Sequence, residues 1–525
     1  MNSQCDSDIP SLSHTLSEPP SAGAAGLREW LGLALLALPT ILLGLDLTLL
    51  HLALPALAAD LQPTSTQALW IMDAYGFMIA GFLITMGTLG DRIGRRRLLM
   101  IGATAFAVAS VIAAFSQSAI MLIAARTALG VAGATLMPST LALISNLFTD
   151  PRQRALGFGI WATMFALGMA MGPVVGGLLL EHFWWGAAFL IAVPIVGLLL
   201  VLAPVLLPEY RAPHSRRLDL LSVTLSLAAM LPVIYGIKQI AKNGFVLDAV
   251  SAIALGIVFS LIFVRRQRRL ADPLLDMSLF ANKAFRVALV VLLFSLVAVG
   301  GTMLLVTQYL QLVAGFSPLI AGLWMGPPAL AMVAAGIASP LLARQIRPGF
   351  VVAGALVLSV VGYLVLTQVG RDAASLAMIV TGFALIYLGL GTIAALGTDL
   401  VVGSAPPEKA GSASAMSETV QDLGASLGIA VLGSLTTTVY RRMIQDRVPE
   451  DLPMDMHEAL SDSLWAASAA ASDLPPGVIE EAQSAFTAGF NNAAFFCAVG
   501  VAFLAILAAR ALRHVGRPEH AHEEQ

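Results

Sequence analysis

Long apolar blocks, each about as long as one membrane-crossing helix, alternate along the chain with short polar or charged connections. A helix needs about 20 mainly apolar residues to cross the hydrocarbon core of a bilayer. The blocks meet that length with almost no charge inside them, a pattern typical of membrane helices. Fourteen helices are predicted in this way, at approximately 30–54, 68–90, 98–116, 119–145, 155–180, 185–207, 217–239, 246–264, 285–313, 317–340, 349–368, 373–400, 411–436 and 484–511.

Composition supports the same class of protein. Of the 525 residues, 58% are hydrophobic and 12% are charged, whereas soluble domains carry about 25% charged residues. A formal net charge of −3 leaves no basic field for a nucleic acid. The two cysteines, Cys5 in a polar tail and Cys497 in the last apolar block, exclude a disulfide framework and a zinc site. We therefore expect a multi-pass membrane protein without a metal, a cofactor or a nucleic-acid partner.

The distribution of basic residues predicts which side each loop faces. Of the 29 lysines and arginines, 22 fall in the tails and in the connections after even-numbered helices. Six fall on the opposite side, and Arg126 falls inside a helix. Basic residues collect on the cytoplasmic side of membranes, so both termini are predicted to be cytoplasmic. Residues 1–27 are rich in Ser and Pro without an apolar core, which indicates a disordered cytoplasmic tail and not a cleaved signal peptide.

One short turn, GTLGDRIGRRR at 87–97, concentrates an acid and four arginines between two apolar blocks. Glycines permit a tight turn and arginines stay charged, so the turn is predicted to be a cytoplasmic loop. It resembles the signature loop between the second and third helices of the major facilitator superfamily. The resemblance implies a gating role for Gly87, Gly90, Asp91, Arg92, Gly94 and Arg95. Asp91 is then expected near positive helix ends or arginines, holding the cytoplasmic side shut; the alternative is a solvated loop charge.

The fifth predicted helix contains small residues four apart around one proline. This set is Gly168, Gly172, Pro173, Gly176 and Gly177. Small residues at that spacing allow close helix packing, and a proline interrupts the backbone hydrogen bonds, so the residues themselves predict a tightly packed, bent helix. The set also resembles the GxxxGPxxGG motif associated with the antiporters of the superfamily. The resemblance implies export of the substrate and not uptake.

Three further stretches agree with this resemblance: LEHFWWGAAFLIAVP at 180–194, TQYLQLVAGFSPLIAGL at 307–323 and PEKAGSASAMSETVQDLGASLG at 407–428. Together they resemble the fourteen-helix drug:proton antiporters, particularly the bacterial exporters of quaternary ammonium compounds and cationic dyes. The resemblance covers roughly residues 27–510. Some cation exporters of this group carry an extra acid in helix ten, and 317–340 has none, which leaves the handling of dications open.

The resemblance implies an all-α membrane protein with the major facilitator fold. Two six-helix bundles, each of nested inverted repeats, would enclose a binding site near the membrane midplane. The expected division is a tail at 1–27, one bundle at 28–214, an inserted pair (helices seven and eight) at 215–270, the second bundle at 271–511 and a cytoplasmic tail at 512–525. The connection at 441–483 is expected outside the cytoplasm. Its amphipathic run near 456–471 is predicted either to lie on the membrane surface or to cap the cavity mouth.

Charged residues inside the apolar helices are the candidates for chemistry, because each one costs about 2.5–3.5 kcal/mol at the bilayer centre on insertion scales. They are Asp46, Asp73, Arg126, Glu418 and Asp422. We expect them to line a cavity for protons and substrate. For Asp46, Glu418 and Asp422 the alternative is a structural pairing with Arg126 or with a helix end. For Asp73, which is nearer the interface, the alternative is solvation.

Two relationships among these residues sharpen the hypothesis. Glu418 and Asp422 stand four apart and share one helix face. Two acids at that spacing repel each other, so a bound proton or cation relieves the repulsion. Arg126 resembles the family's fourth-helix arginine and should pair with Asp46. Protonation of Asp46 would then free Arg126 and bias the bundles between inward-open and outward-open states; a permanent salt bridge is the alternative.

Aromatic side chains attract lipophilic cations through their ring faces. Tyr75 and Trp161 are the candidates for such contacts, although either residue also suits interhelical or lipid-facing packing.

Searches for enzyme motifs are negative. None of the four lysines, Lys238, Lys242, Lys283 and Lys409, follows a glycine, so a GxxxxGK[ST] phosphate loop is absent. The sequence also lacks HExxH, and the GxSxG match GASLG at 424–428 lies inside the predicted helix at 411–436 and not at a strand-to-helix turn. We therefore do not expect an enzyme or a protein that itself consumes ATP.

The favoured interpretation is a monomeric, proton-coupled multidrug efflux antiporter in the inner membrane of a bacterium, surrounded by lipids. Its substrates would be small lipophilic cations such as quaternary ammonium compounds, cationic dyes and biguanides, with protons as the coupling ion. One alternative is a proton-coupled exporter of an endogenous metabolite such as an amino acid, polyamine, sugar or antibiotic. An alternative of another class is a membrane sensor or scaffold that transports nothing.

Overall fold

A computed structural model describes residues 26–148, 150–209, 219–270, 273, 275, 277–405, 410–445, 453–470, 474–475 and 477–512. These residues form α-helices joined by short connections, and the described ranges contain no β-strand. Most of the two predicted tails, at 1–25 and 513–525, lies outside the described residues.

The helices follow one another with few interruptions. The first group is α1 (Leu27–Leu61), α2 (Ser65–Ile93), α3 (Arg95–Ala114), α4 (Ala119–Leu147), α5 (Pro151–His182), α6 (Ala187–Leu190) and α7 (Ala192–Leu206). The next two are α8 (Leu220–Asn243) and α9 (Leu247–Gln267). The last group is α10 (Lys283–Gln308), α11 (Pro318–Trp324), α12 (Gly326–Gln345), α13 (Pro348–Leu366), α14 (Ala373–Gly403), α15 (Ala410–Gln445), α16 (Met454–Asp462), α17 (Leu464–Ala469) and α18 (Val478–Ala511).

Thirteen helical segments in the described part are long and apolar enough to cross a membrane. Helix α2, with 29 residues, adds a further long helix, so the predicted all-α membrane fold with fourteen crossings is confirmed. An even number of crossings puts the start of α1 and the end of α18 on one side, here called the terminal face. The other side is called the far face.

Two predicted helices are each divided in two. The tenth crossing is divided between α11 and α12 at Met325, where Pro327 and Pro328 begin α12 and supply no backbone N–H to continue the hydrogen-bond ladder. The sixth crossing is divided between α6 and α7 at Ile191. Both pairs still cross the membrane as one segment, at Ala187–Leu206 and Pro318–Ala343.

The core consists of two large apolar clusters. One is formed by helices α1 to α7, with buried members that include Leu36, Ile71, Leu99, Leu129 and Leu199. The other is formed mainly by helices α10 to α18, with buried members that include Phe285, Leu292, Tyr363, Phe383 and Phe490. Since helix association in lipid depends on close packing, each cluster holds its helices together as a bundle.

Helix α5 packs against both halves of the molecule through its glycines. On one face, a Cβ atom at Gly168 would overlap the backbone carbonyl oxygen of Ile41 in α1. On another face, a Cβ atom at Gly177 would lie 2.6 Å from Leu319 Cα and 2.6 Å from the Pro318 carbonyl oxygen, at the start of α11. The motif of helix five therefore permits backbone contact within one bundle and between the bundles, near the far face.

The inserted helices α8 and α9 lie beside the seam between the bundles. Ile234 of α8 is buried in a small apolar cluster with Phe77 of α2 and Ala430 of α15. At the terminal face, a hydrogen bond joins these two helices. Nη2 of Arg266, in the last turn of α9, donates a 2.8 Å hydrogen bond to Oδ1 of Asp219, the residue before α8.

The connection between α15 and α18 lies across the far-face ends of both bundles. Asp462 accepts hydrogen bonds from the Ser65 backbone N–H at 2.7 Å and from Arg441 Nη2 at 2.9 Å. Trp465 belongs to the first apolar cluster and Leu464 to the second. Beneath them lies a small pocket lined by residues of both halves, among them Leu69 and Leu304. The described part of this run therefore packs over the helix ends.

We expect Gly168→Ala to destabilise the fold, because the added methyl group meets the backbone of α1 and overpacking costs about 1–3 kcal/mol. The midpoint of thermal unfolding in detergent should fall. Gly159→Ala in the same helix is the matched control, since its Cβ atom would meet nothing within 4 Å. Equal midpoints for the two variants would contradict the packing described here.

Candidate functional site

Arg126 of α4 is buried inside the first bundle, where residues of two other helices bind its side chain. Its side chain is 2% exposed, and its Nη1 lies 2.8 Å from Asp46 Oδ2 of α1. Its Nε donates a 3.1 Å hydrogen bond to the carbonyl oxygen of Ile71 in α2. A charged, hydrogen-bonded pair of this kind neutralises two groups that would each be costly alone in lipid. The structure thus brings together Asp46 and Arg126 as predicted from the sequence.

Aromatic rings cover the guanidinium group of Arg126. Its Cζ lies 4.5 Å from the ring centroid of Tyr75 and 5.9 Å from that of Phe189. Tyr75 is 1% exposed, and its hydroxyl makes no hydrogen bond to any described residue. The predicted aromatic residue Tyr75 therefore contacts the internal arginine, in a position where a cation already meets its ring face.

The part of α15 that carries Asp422 packs against α2. Asp422 Oδ2 is buried and accepts no hydrogen bond from the described residues. A Cβ atom at Gly76 would lie 3.6 Å from the Asp422 carbonyl oxygen and would overlap Ser426 Oγ. Tyr75 and Gly76, which are adjacent in α2, therefore touch the Arg126 group of one half and the Asp422 segment of the other half.

Glu418 and Asp422 are both only partly buried, as is Asp46. On the neighbouring face of α15, Gln421 Nε2 donates a 3.4 Å hydrogen bond to Thr398 Oγ1 of α14. Gln421 therefore holds α15 to its own bundle. The two acids remain available to a proton or a cationic molecule that reaches them.

Asp73 lies apart from this group. Its side chain is fully buried, and Oδ2 lies 2.9 Å from Nζ of Lys238 in the inserted helix α8. This ion pair was not predicted from the sequence. The available signal was the position of Lys238 inside the run LPVIYGIKQI, where an isolated lysine needs a partner.

Trp161 contacts different neighbours. Its Nε1 donates a 3.0 Å hydrogen bond to Thr140 Oγ1 of α4, and its ring stacks on Phe165 with centroids 6.2 Å apart. Trp161 is partly exposed, so another molecule can contact its ring, although its Nε1 already donates a hydrogen bond to Thr140.

The basic turn at 87–97 is bonded to the end of α7. Gly94 separates α2 from α3 with φ of 113°, a conformation that favours glycine. Glu209 Oε2 lies 3.6 Å from Arg96 Nε and 3.7 Å from Arg97 Nε, and Arg96 also donates to the Leu207 carbonyl oxygen at 2.9 Å. Glu209 was not predicted as a partner of the turn.

The other residues predicted in this turn occupy varied positions. Arg92 is exposed, and a Cβ atom at Gly90 would lie 3.0 Å from Arg95 Cδ. A Cβ atom at Gly87 would lie 3.7 Å from Pro138 Cβ, an ordinary van der Waals distance. The predicted role of Asp91 concerns a side chain outside the described part of the structure, so it stays a prediction.

Comparisons with known proteins agree with this architecture. The family model of the Major Facilitator Superfamily matches residues 36–429. The multidrug efflux pump LfrA of Mycolicibacterium smegmatis is 43% identical over 505 residues, which cover 94% of this chain and all of that protein. The methyl viologen resistance protein SmvA of Salmonella typhimurium is 35% identical over 469 residues, covering 87% of this chain and 93% of that protein.

A solved structure supports the fold independently. A bacterial homologue of the human lysosomal transporter Spinster, in an inward-facing and unoccupied conformation, superposes with a TM-score of 0.64 at 16% identity. The superposition covers 93% of this chain and 98% of that one.

These observations define a multi-pass, all-α membrane transporter with buried charged groups inside its helices. The chain belongs to the Major Facilitator Superfamily. It is accordingly a transporter of small molecules and not an enzyme, and the two relatives described above are drug-resistance proteins, one of them named as a multidrug efflux pump.

We expect Arg126→Lys to destabilise the protein although the charge is retained. A single ammonium group on a shorter reach replaces a planar fork that contacts Asp46 and the Ile71 carbonyl oxygen together, and losing one such buried bond costs about 1–3 kcal/mol. Thermal unfolding in detergent measures the change. Arg268→Lys, at an exposed arginine after α9, is the control and should leave the midpoint unchanged. Similar midpoints for both variants would show that the fork geometry does not matter.

Proposed function

We propose that the protein is a proton-coupled antiporter that exports lipophilic cations across the cytoplasmic membrane of a bacterium. The terminal face would then be cytoplasmic, with both termini on that side, and the far face would be outside. One observation carries the proposal. Residues Tyr75 and Gly76 of α2 connect the Asp46–Arg126 pair of one bundle to the Asp422 segment of the other.

The proposed coupling uses the two groups in different ways. Asp422 has a buried oxygen without a hydrogen bond from the described residues, so a proton or a cation that reaches it relieves an uncompensated charge. Asp46 is already paired with Arg126, so a proton on Asp46 releases the guanidinium group. In antiport, the cation leaves as protons enter from outside and take its place on the carboxylates.

The two bundles would alternate access to these residues by rocking against each other. We propose the division expected from the sequence, with 28–214 and 271–511 as the two moving bodies. The contact of Gly177 with the start of α11 and the bonds of Asp462 lie near the far face, which supports a conformation closed on that side.

The class of substrate follows from the chemistry of the lining residues. Carboxylates and a buried aromatic ring favour a lipophilic cation over an anion. Methyl viologen, which appears in the name of a relative, is a quaternary bipyridinium dication. This supports cations with quaternary nitrogen as substrates, and it bears on the question of dications left open by the absence of an acid in 317–340.

The deciding experiment measures transport in proteoliposomes that contain the purified protein. An imposed pH gradient should drive movement of ethidium or benzalkonium opposite to the protons, and nigericin, which collapses the gradient, should stop it. A panel of amino acids, polyamines and sugars in the same vesicles tests the metabolite alternative. Movement of a metabolite without movement of any cation would refute the proposed substrate class, and movement of neither would favour a sensor or scaffold.

We expect Asp46→Asn to reduce proton-driven dye export at least tenfold, because an amide cannot exchange a proton and leaves Arg126 permanently charged without its counter-ion. Dye efflux normalised to the amount of protein in the membrane measures the loss. Asp248→Asn, at an exposed acid in the first turn of α9, is the control and should keep full activity. Undiminished export by Asp46→Asn would remove this residue from the mechanism.

We expect Asp422→Asn to lower cation export at least tenfold, since it removes a negative charge that has no described internal partner. Gln421→Ala is the matched control one residue away, because Gln421 is bonded to α14 and not to the proposed path. It should remain within threefold of the parent protein in the same vesicle assay. If both variants lose activity equally, the effect is a general disturbance of α15.

A further inference from the structure

An ion pair within the membrane joins the inserted helix α8 to α2. Lys238 Nζ lies 2.9 Å from Asp73 Oδ2 and 3.2 Å from Asp73 Oδ1, and it also lies 3.8 Å from the ring centroid of Trp70. An ammonium group has three N–H donors. Lys238 donates a hydrogen bond to Oδ1 and faces the ring of Trp70, and Oδ2 completes the ion pair without accepting a hydrogen bond from the described residues, so these contacts of the cation all belong to α2.

Burial distinguishes this pair from the other intramembrane acids. Lys238 is 1% exposed and Asp73 is 0% exposed, whereas Asp46, Glu418 and Asp422 are partly exposed. A proton or a substrate has no open approach to Asp73 in this conformation. Asp73 is therefore occupied by an internal cation.

The remaining contacts place α8 along the seam between the two bundles. Leu227 lies against Gly81, where a Cβ atom would be 2.6 Å from Leu227 Cδ2. Three turns further along, Lys238 meets Asp73, so α8 runs antiparallel to α2 over this distance. Through Ile234 the same helix also packs on Ala430 of α15.

The two sides of this seam are attached to α8 in different ways. The contact with α2 includes the ion pair and the cation–π contact on Trp70. The described contact with α15 consists of apolar side chains: Met230, Leu231 and Ile234 of α8 with Leu423, Leu427 and Ala430 of α15. An ion pair in a low-dielectric surrounding holds one geometry, whereas apolar surfaces in lipid can slide past each other with little change in energy.

We propose that Lys238 is a positioning residue that fixes the inserted helix pair to the first bundle through Asp73, so that α8 travels with α2 and slides on α15 during transport. In this arrangement α8 covers the α2–α15 seam from the lipid side throughout the cycle. Asp73 supplies the anchor and is not one of the carboxylates that exchange protons. The proposal rests on the proposed function, because it concerns movement during transport.

The first test compares neutral variants of the pair, and a swapped variant, in the dye-export assay. Asp73→Asn and Lys238→Met alone should each lower export at least tenfold, because each leaves its buried partner uncompensated. The swapped double variant Asp73→Lys/Lys238→Asp, which keeps an ion pair between α2 and α8, should recover export to within threefold of the parent, with the same dependence on pH. If Lys238→Met stays active while Asp73→Asn and the double variant are both inactive, Asp73 acts directly on protons or cargo and the proposal is overturned.

The second test does not depend on the single variants folding well. Cysteine pairs are introduced into a background in which Cys5 and Cys497 are replaced by serine. One pair, Gly81→Cys/Leu227→Cys, links α8 to α2, and the added volume at one position is offset by the loss at the other. The matched pair, Ile234→Cys/Ala430→Cys, links α8 to α15. Each is oxidised to a disulfide and then reduced with dithiothreitol as an internal control.

The expected result is asymmetric. The α8–α2 disulfide should change export by less than twofold, whereas the α8–α15 disulfide should lower it at least tenfold, reversibly on reduction. Arrest by the α8–α2 link with activity retained by the α8–α15 link would show that the insertion travels with the second bundle, and arrest by neither would show that α15 does not move relative to α8; both results overturn the proposal. Export by the cysteine-free parent reports on the proposed function separately.

Discussion

The structure depends on one constraint: a charge inside the bilayer must be neutralised by something held nearby. Arg126 meets it with Asp46, the Ile71 carbonyl oxygen and the ring of Tyr75. Lys238 meets it with Asp73 and Trp70. In each case the partners lie on a helix other than that of the cation, so the charged groups also determine which helices stay together. Asp422 has a buried oxygen that accepts no hydrogen bond from the described residues, and the proposed coupling rests on it.

Close backbone contact is the second determinant of the architecture. Gly168 lets α5 touch α1, and Gly177 lets the same helix touch the start of α11 in the other bundle. Gly76 does the same for α2 and α15. Interfaces between flat, small-residue surfaces can separate and re-form without untangling long side chains, which suits bundles that move as bodies. The charged groups lie beside these contacts, so a change in charge acts where the bundles meet.

The far-face connection and the basic turn act at opposite sides of the membrane. Asp462 joins Arg441 to the start of α2 across the far face, and Glu209 joins the end of α7 to the arginines that follow α2. Both are ion pairs close to water, where each contributes little by itself. They lie at the two ends of α2, the helix that contacts both bundles and the insertion. Both groups therefore help to fix the position of the same helix.

The sequence by itself determined the membrane class and the number of crossings, because hydrophobic length is a local property. It showed that Arg126 needs a partner in lipid, and the resemblance of Arg126 to the family's fourth-helix arginine indicated Asp46 as that partner. The glycine motif also predicted tight packing of α5, which Gly168 and Gly177 show. Only the tertiary structure decided that Asp73 pairs with Lys238, that Glu209 meets the basic turn, and that 453–470 lies over the helix ends. These depend on which helices become neighbours across long separations in the chain, and neither hydropathy nor residue spacing carries that information.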